Sequence, residues 1–149
     1  MESILHREQV AQRKLIWLGP LTLVSTLIVN LILRAIAISI FGVPETFQYV
    51  QARYVIGSTI IFVLLALLVF VLVNRFAQHP IRFYRILAFV ALCISFLSPV
   101  MALVGLFPAP GMTLTIFWTM IVMHSVSAII VVGLLTTLTR EQAEHMWRK

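Results

Sequence analysis

VIGSTIIFVLLALLVFVLV, residues 55–73, is a run of nineteen residues without a charge. An α-helix rises about 1.5 Å per residue, so this run is roughly 28 Å long and nearly matches the ~30 Å hydrocarbon layer of a bilayer. Three further stretches have the same character, at about residues 15–40, 86–107 and 114–138, and little of the chain is left over. The whole sequence has 149 residues, of which 61% are hydrophobic. Its mean hydropathy is +1.05, far above what a soluble domain can cover with polar surface. Because the bilayer core offers no water to backbone N–H and C=O groups, each span must satisfy its own hydrogen bonds and is therefore helical. The expected class is all-α: a four-transmembrane-helix bundle in one integral membrane domain over residues 1–149, without a second domain, linker or repeat.

Orientation follows from the basic residues. Arg7, Arg13 and Lys14 precede the first span, Arg75, Arg82 and Arg85 separate the second from the third, and Arg140, Arg148 and Lys149 follow the fourth. The connection after the first span offers Arg53 against Glu45, and PAPGM between the third and fourth carries no charge. The positive-inside rule then places both termini in the cytoplasm. The first span has the basic start of a secretory signal and an AIA sequence at residues 35–37, yet its apolar run is too long and holds Asn30 and Arg34, so it reads as a retained helix. Cys93 is the single cysteine, which excludes a disulfide framework within the chain.

A net charge of +6 would suggest nucleic acid in a soluble protein. Here it is distributed as membrane topology requires, and NRFAQHPIRFYR reads as an interfacial segment. Its arginines would meet anionic headgroups while Phe76, Phe83 and Tyr84 sit at the boundary. Expected partners are therefore membrane lipids at the basic side and a second copy or a larger membrane complex, and not nucleic acid. Opposite, Phe47, Val50 and Tyr54 recur at helical spacing and predict a short amphipathic lead-in to the second span.

The third span carries Ala88, Ala91, Ser95, Ser98, Ala102 and Gly105 in a three-four alternation of small residues. Helices associate in lipid through close van der Waals contact and interhelical hydrogen bonds, so this seam predicts a helix interface. Pro99 removes a backbone donor and predicts a local bend, with Ser95 or Ser98 able to satisfy the carbonyl it frees.

Thr22, Thr26, Asn30 and Arg34 stand four residues apart on the first span, with Ser25 beside them. Such a face is not suited to lipid. Arg34 either turns into the bundle or a wet cavity, as intramembrane ionisable residues do, or reaches the outer surface and snorkels there. Buried, it needs a counter-charge, and Glu45 is the one acidic residue on its side, so an Arg34–Glu45 ion pair is the candidate.

In TMIVMHSVSAII, residues 119–130, His124 interrupts a stretch otherwise fit for lipid. Counted along its helix it lies roughly 15 Å deep, near the levels of Ser98 and Thr26, and shares a face with Met120, Ser127, Ala128 and Val131. A structural reading has its imidazole satisfied by hydroxyls of the first and third helices near the midplane. Functional readings are a proton relay, a ligand contact or an axial haem ligand, none with support from spacing. His6, His79 and His145 fall at the cytoplasmic edge, too distant to complete a metal site. Thr26, Asn30, Arg34, Ser95, Ser98, His124 and Ser127 are thus the candidates for a polar pocket or for polar packing. Nothing in the sequence specifies a catalytic residue, metal or cofactor: it has no glycine-rich phosphate loop, nucleophile elbow, cysteine pair or paired intramembrane carboxylates.

VNLILRAIA, the basic connection after the second span, ISFLSPV and MHSVSAIIV together resemble a family of small bacterial four-helix membrane proteins of unknown function. The likeness covers most of the chain and implies the fold, and residence in the bacterial cytoplasmic (inner) membrane, without an activity. Two functions stay open: a non-catalytic bundle that self-associates or serves a larger complex, and a small transport or ligand-binding protein with Asn30, Arg34, Ser98 and His124 around an outward-facing polar pocket. An enzyme is not expected.

Overall fold

The computed structural model describes residues 12–138, with side chains from residue 16 onward. Four long helices follow one another: α1 Gln12–Ser39, α2 Ala52–Phe76, α3 Pro80–Leu103 and α4 Leu114–Thr137. Each contains a segment long and apolar enough to cross a membrane. His6, His145, Arg7, Arg140, Arg148 and Lys149 lie outside the described residues, and of Arg13 and Lys14 only the helical backbone is described.

Short connections reverse the chain between consecutive helices, which is the up-down arrangement expected of a bundle. α2 and α4 each pack against both α1 and α3, and they also meet across the diagonal. One end of the bundle therefore gathers the start of α3 and the ends of α2 and α4, with Arg75, Arg82 and Arg85; the opposite end holds Glu45. Large apolar side chains such as Ile28, Ile61, Phe62, Ile94 and Ile129 are exposed along every helix. That distribution suits lipid as the surrounding solvent. Trp17 and Phe76 toward the basic end, and Phe41 and Trp118 toward the other, stand exposed where aromatic side chains border the headgroups.

Two apolar clusters fill the interior. Toward the basic end Val63, Phe70, Val73, Ile81, Tyr84, Val131 and Leu135 join α2, α3 and α4. Toward the other end Ala37, Val43, Phe47, Val50 and Ile116 close the bundle under the connection between α1 and α2. The expected lead-in is therefore a plug as much as a surface element. Phe47 and Val50 are buried, a single 3-10 turn spans Gln48–Val50, and Tyr54 is left partly exposed.

The third helix departs most from expectation. It begins at residue 80 rather than 86 and ends at 103 rather than 107. Pro80 occupies the first turn, where its fixed φ favours a helix and its missing N–H costs no bond. Only residues 77–79 separate α2 from α3, so NRFAQHPIRFYR is mostly helix. Tyr84 accordingly leaves the boundary for the core. Its ring meets Phe70 edge-on at 4.8 Å, and its hydroxyl lies 3.4 Å from the Ala66 carbonyl.

At the other end Gly105, expected in the packing seam, stands beyond the helix with φ +77°. Its N–H donates to Ala102 and that of Leu106 donates to Met101, the paired bonds of a Schellman ending that favours glycine. Thr113 caps the start of α4, its hydroxyl accepting from the Ile116 N–H at 3.3 Å.

Candidate functional site

The four-residue spacing on α1 lines its inward face with polar groups. Thr22 and Thr26 are fully buried, Asn30 is 6% exposed, and the Arg34 side chain is 18% exposed. Thr26 donates to the Thr22 carbonyl at 2.7 Å, a bond within its own helix. The Thr22 hydroxyl is buried without a partner.

Asn30 is where three helices meet. Its Nδ2 lies 2.9 Å from Thr59 Oγ1 on α2 and 2.9 Å from Ser127 Oγ on α4, and Ser127 Oγ is 3.1 Å from Asn30 Oδ1. An amide is suited to this position because one planar group supplies two donors and an acceptor. Thr59 and Ser127 sit along their helices between the two apolar clusters, so this polar layer divides the core and fixes the relative height of α1, α2 and α4. Thr59 escaped the sequence reading: a single threonine in an apolar run has no periodic companion to mark its face.

One turn beyond Asn30, Arg34 ties α1 to the plug. Nε donates to the Val50 carbonyl at 2.8 Å, and Nη2 lies 2.9 Å from Glu45 Oε1. The Glu45 side chain is 66% exposed, which screens the charge attraction, whereas Val50 is buried. The bond to the carbonyl is therefore the stronger constraint. At the basic end Arg85 makes a comparable tie. Its Nε and Nη2 lie 3.3 and 3.0 Å from the hydroxyl of buried Thr136 on α4.

His124 is placed differently from the sequence reading. Nδ1 lies 2.7 Å from the Met120 carbonyl, one turn back on the same helix. No bond joins it to hydroxyls of α1 or α3, because the carbonyl of its own helix is nearer at hand. A carbonyl only accepts, so Nδ1 is the donor in this contact. Ser95 donates to the Leu92 carbonyl at 2.7 Å, and Ser98 is exposed. The seven expected polar residues are thus not one pocket. Asn30 and Ser127 come together with Thr59, Arg34 joins Glu45, and Thr26, Ser95 and His124 bond to their own helices.

The small-residue seam of α3 is used on one side only. Ala102 is buried and Ala88 and Ser95 are half-buried, while Ala91, Ser98 and Gly105 are exposed. Pro99 is buried within the helix. Among the described residues no group of three or more His, Cys, Asp or Glu is placed to hold a metal ion.

Four apolar spans and an interior of interhelical polar ties define an integral membrane helical bundle. The chain belongs to a family of unknown function (DUF6069), whose match covers residues 10–141. Neither a curated protein nor a solved structure matches it.

Proposed function

We propose that this is a non-catalytic membrane protein of the bacterial cytoplasmic membrane that works by association, with further copies of itself or as an accessory subunit of a larger membrane complex. The observation that carries this reading is the outward half of the α3 seam, where Ala91 and Ser98 are exposed seven residues apart. Small side chains on one line let another helix approach closely, and a serine facing lipid gains a hydrogen-bond partner when a helix covers it. The polar groups deeper in the bundle support the same reading, since Asn30 and Arg34 are already engaged in holding the helices together. Arg75, Arg82 and Arg85 at one end favour an orientation with that end and both termini inside.

Cysteine trapping in native membranes tests the proposal. With Cys93 replaced by Ser, Ala91→Cys is expected to form a disulfide with the same thiol of a second copy under a mild oxidant, or, carrying a thiol-linked photocrosslinker, to attach to one partner of discrete mass. Phe89→Cys, exposed on the opposite side of α3, is expected to remain uncrosslinked. Equal trapping at both positions, or trapping at neither, would overturn the proposal.

A small transport or ligand-binding protein is the second reading, favoured by His124. Its Nε2 has no hydrogen bond among the described residues, at a depth suited to a buried ligand. A His124→Leu protein that keeps its partners but loses uptake or binding of a solute would turn the account to that reading.

A further inference from the structure

The basic end of the bundle carries a groove that the polar ties do not use. It has a volume of about 730 Å³ and runs between the last turns of α2 and the first turns of α3. Leu72, Phe76, Phe83 and Ile86 form its apolar walls, and His79 and Arg82 stand at its end. That volume is within the range of about 300–1,000 Å³ typical of small-molecule sites. All four wall residues are exposed, so the groove opens sideways to the hydrocarbon layer rather than toward water alone.

Among the described residues the charge at its mouth is positive. Arg82 is exposed and makes no hydrogen bond or ion pair among the described residues. Arg75 stands close by, its guanidinium 5.6 Å from the centre of the Phe76 ring. Glu45, the sole acidic residue among those described, is at the opposite end of the bundle. His79, which precedes Pro80, makes no side-chain capping bond to α3. The groove therefore offers an apolar trough inside the membrane that ends in positive charge at the membrane boundary.

We infer that this groove is a binding site for an anionic phospholipid, with an acyl chain along Leu72, Phe76, Phe83 and Ile86 and the headgroup phosphate on Arg82 and His79. A soluble anion would use the charge and leave the trough open. A zwitterionic lipid would fill the trough, but the ammonium of its own headgroup would offset its phosphate and repel Arg82. An anionic lipid satisfies both parts at once. The site acts on the lipid side of the protein and does not depend on whether α3 associates with another helix.

Native mass spectrometry of delipidated protein, titrated with phosphatidylglycerol, phosphatidylcholine or inorganic phosphate, tests the inference. The wild type should retain one phosphatidylglycerol in preference to phosphatidylcholine, and free phosphate should not compete. A basic side chain at an anionic surface contributes roughly five-fold in binding, so Arg82→Gln should reduce the preference by about that factor. Arg53→Gln, a charge removed at the other end, should leave it unchanged. Ile86→Trp, which fills the trough and keeps every charge, should remove the retained lipid. Equal retention of the two lipids by the wild type, an unaltered preference in Arg82→Gln, or full retention in Ile86→Trp would overturn the assignment. Competition by phosphate would show a headgroup-only anion site and overturn the acyl-chain half of it.

Discussion

Replacing Asn30 with Leu removes the amide that joins α1 to α2 and α4 while keeping a side chain of similar size. Three interhelical hydrogen-bond contacts disappear, one to Thr59 at 2.9 Å and two to Ser127 at 2.9 and 3.1 Å. Interhelical side-chain bonds in membrane proteins average about 0.6 kcal/mol each and reach about 1.7 kcal/mol. The surviving hydroxyls fare differently. Ser127 can turn to the carbonyl one turn back on α4, but Thr59 is 6% exposed and the Val55 carbonyl behind it already accepts from Ser58 at 3.2 Å. A loss of about 1–2 kcal/mol is therefore expected, with the larger share from the α1–α2 contact. Reversible unfolding of purified protein in mixed micelles, titrated with a denaturing detergent, measures the loss. A double-mutant cycle with Thr59→Val and Ser127→Ala should divide it into two couplings. If Asn30→Leu is as stable as the wild type and both couplings vanish, the polar layer does not hold the helices together and the reasoning fails.

Further substitutions separate strong ties from weak ones. Glu45→Gln should cost well under about 1 kcal/mol because its carboxylate is mostly exposed, whereas Arg34→Met should cost more by stripping the buried Val50 carbonyl of its donor. Reversing both charges should leave the protein below wild-type stability in the same titration, since a glutamate at position 34 cannot donate to that carbonyl. Thr22→Val should be neutral or stabilising by up to about 1 kcal/mol, because it exchanges an unpartnered buried hydroxyl for a methyl of the same shape. Gly105→Ala should cost about 1 kcal/mol through its backbone alone, as φ is +77° and nothing stands within 4 Å of the added carbon. His124→Leu should cost less than about 1 kcal/mol, since the Met120 carbonyl it contacts retains its helical bond. Thermal melts of the same variants would show each result as a shift in Tm.

Four long, mostly apolar runs made the spans legible, because length and hydropathy alone separate a membrane helix from a core helix. The inward face of α1 was legible too, since a four-residue spacing of Thr22, Thr26, Asn30 and Arg34 can describe only one side of a helix. The start of α3 was hidden by charge. Arg82 and Arg85 look like loop residues, yet Arg82 is exposed at the helix start and Arg85 folds onto Thr136, so both are compatible with the first turns of a span. Gly105 matched the seam by spacing alone, and only its positive φ shows that it ends the helix.

Partners across helices were the least legible feature. Counting residues gives a depth and no rotation, so His124, Ser98 and Thr26 fell at one level on paper while they bond elsewhere or face outward in the bundle. Thr59 shows the converse. It lies in the most lipid-like stretch of the chain and yet accepts the bond that joins α1 to α2. A hydroxyl in such a run becomes informative only when the neighbouring helix is seen to bring an amide to it.

Association is the central functional claim, and native mass spectrometry of the protein extracted gently from its own membrane tests it most directly. The account predicts a discrete complex, either a homo-oligomer or this chain with another polypeptide, that falls apart when Ser98 is replaced by Leu on the exposed side of the α3 seam. A lone monomer from every gentle extraction, unchanged by Ser98→Leu, would contradict it.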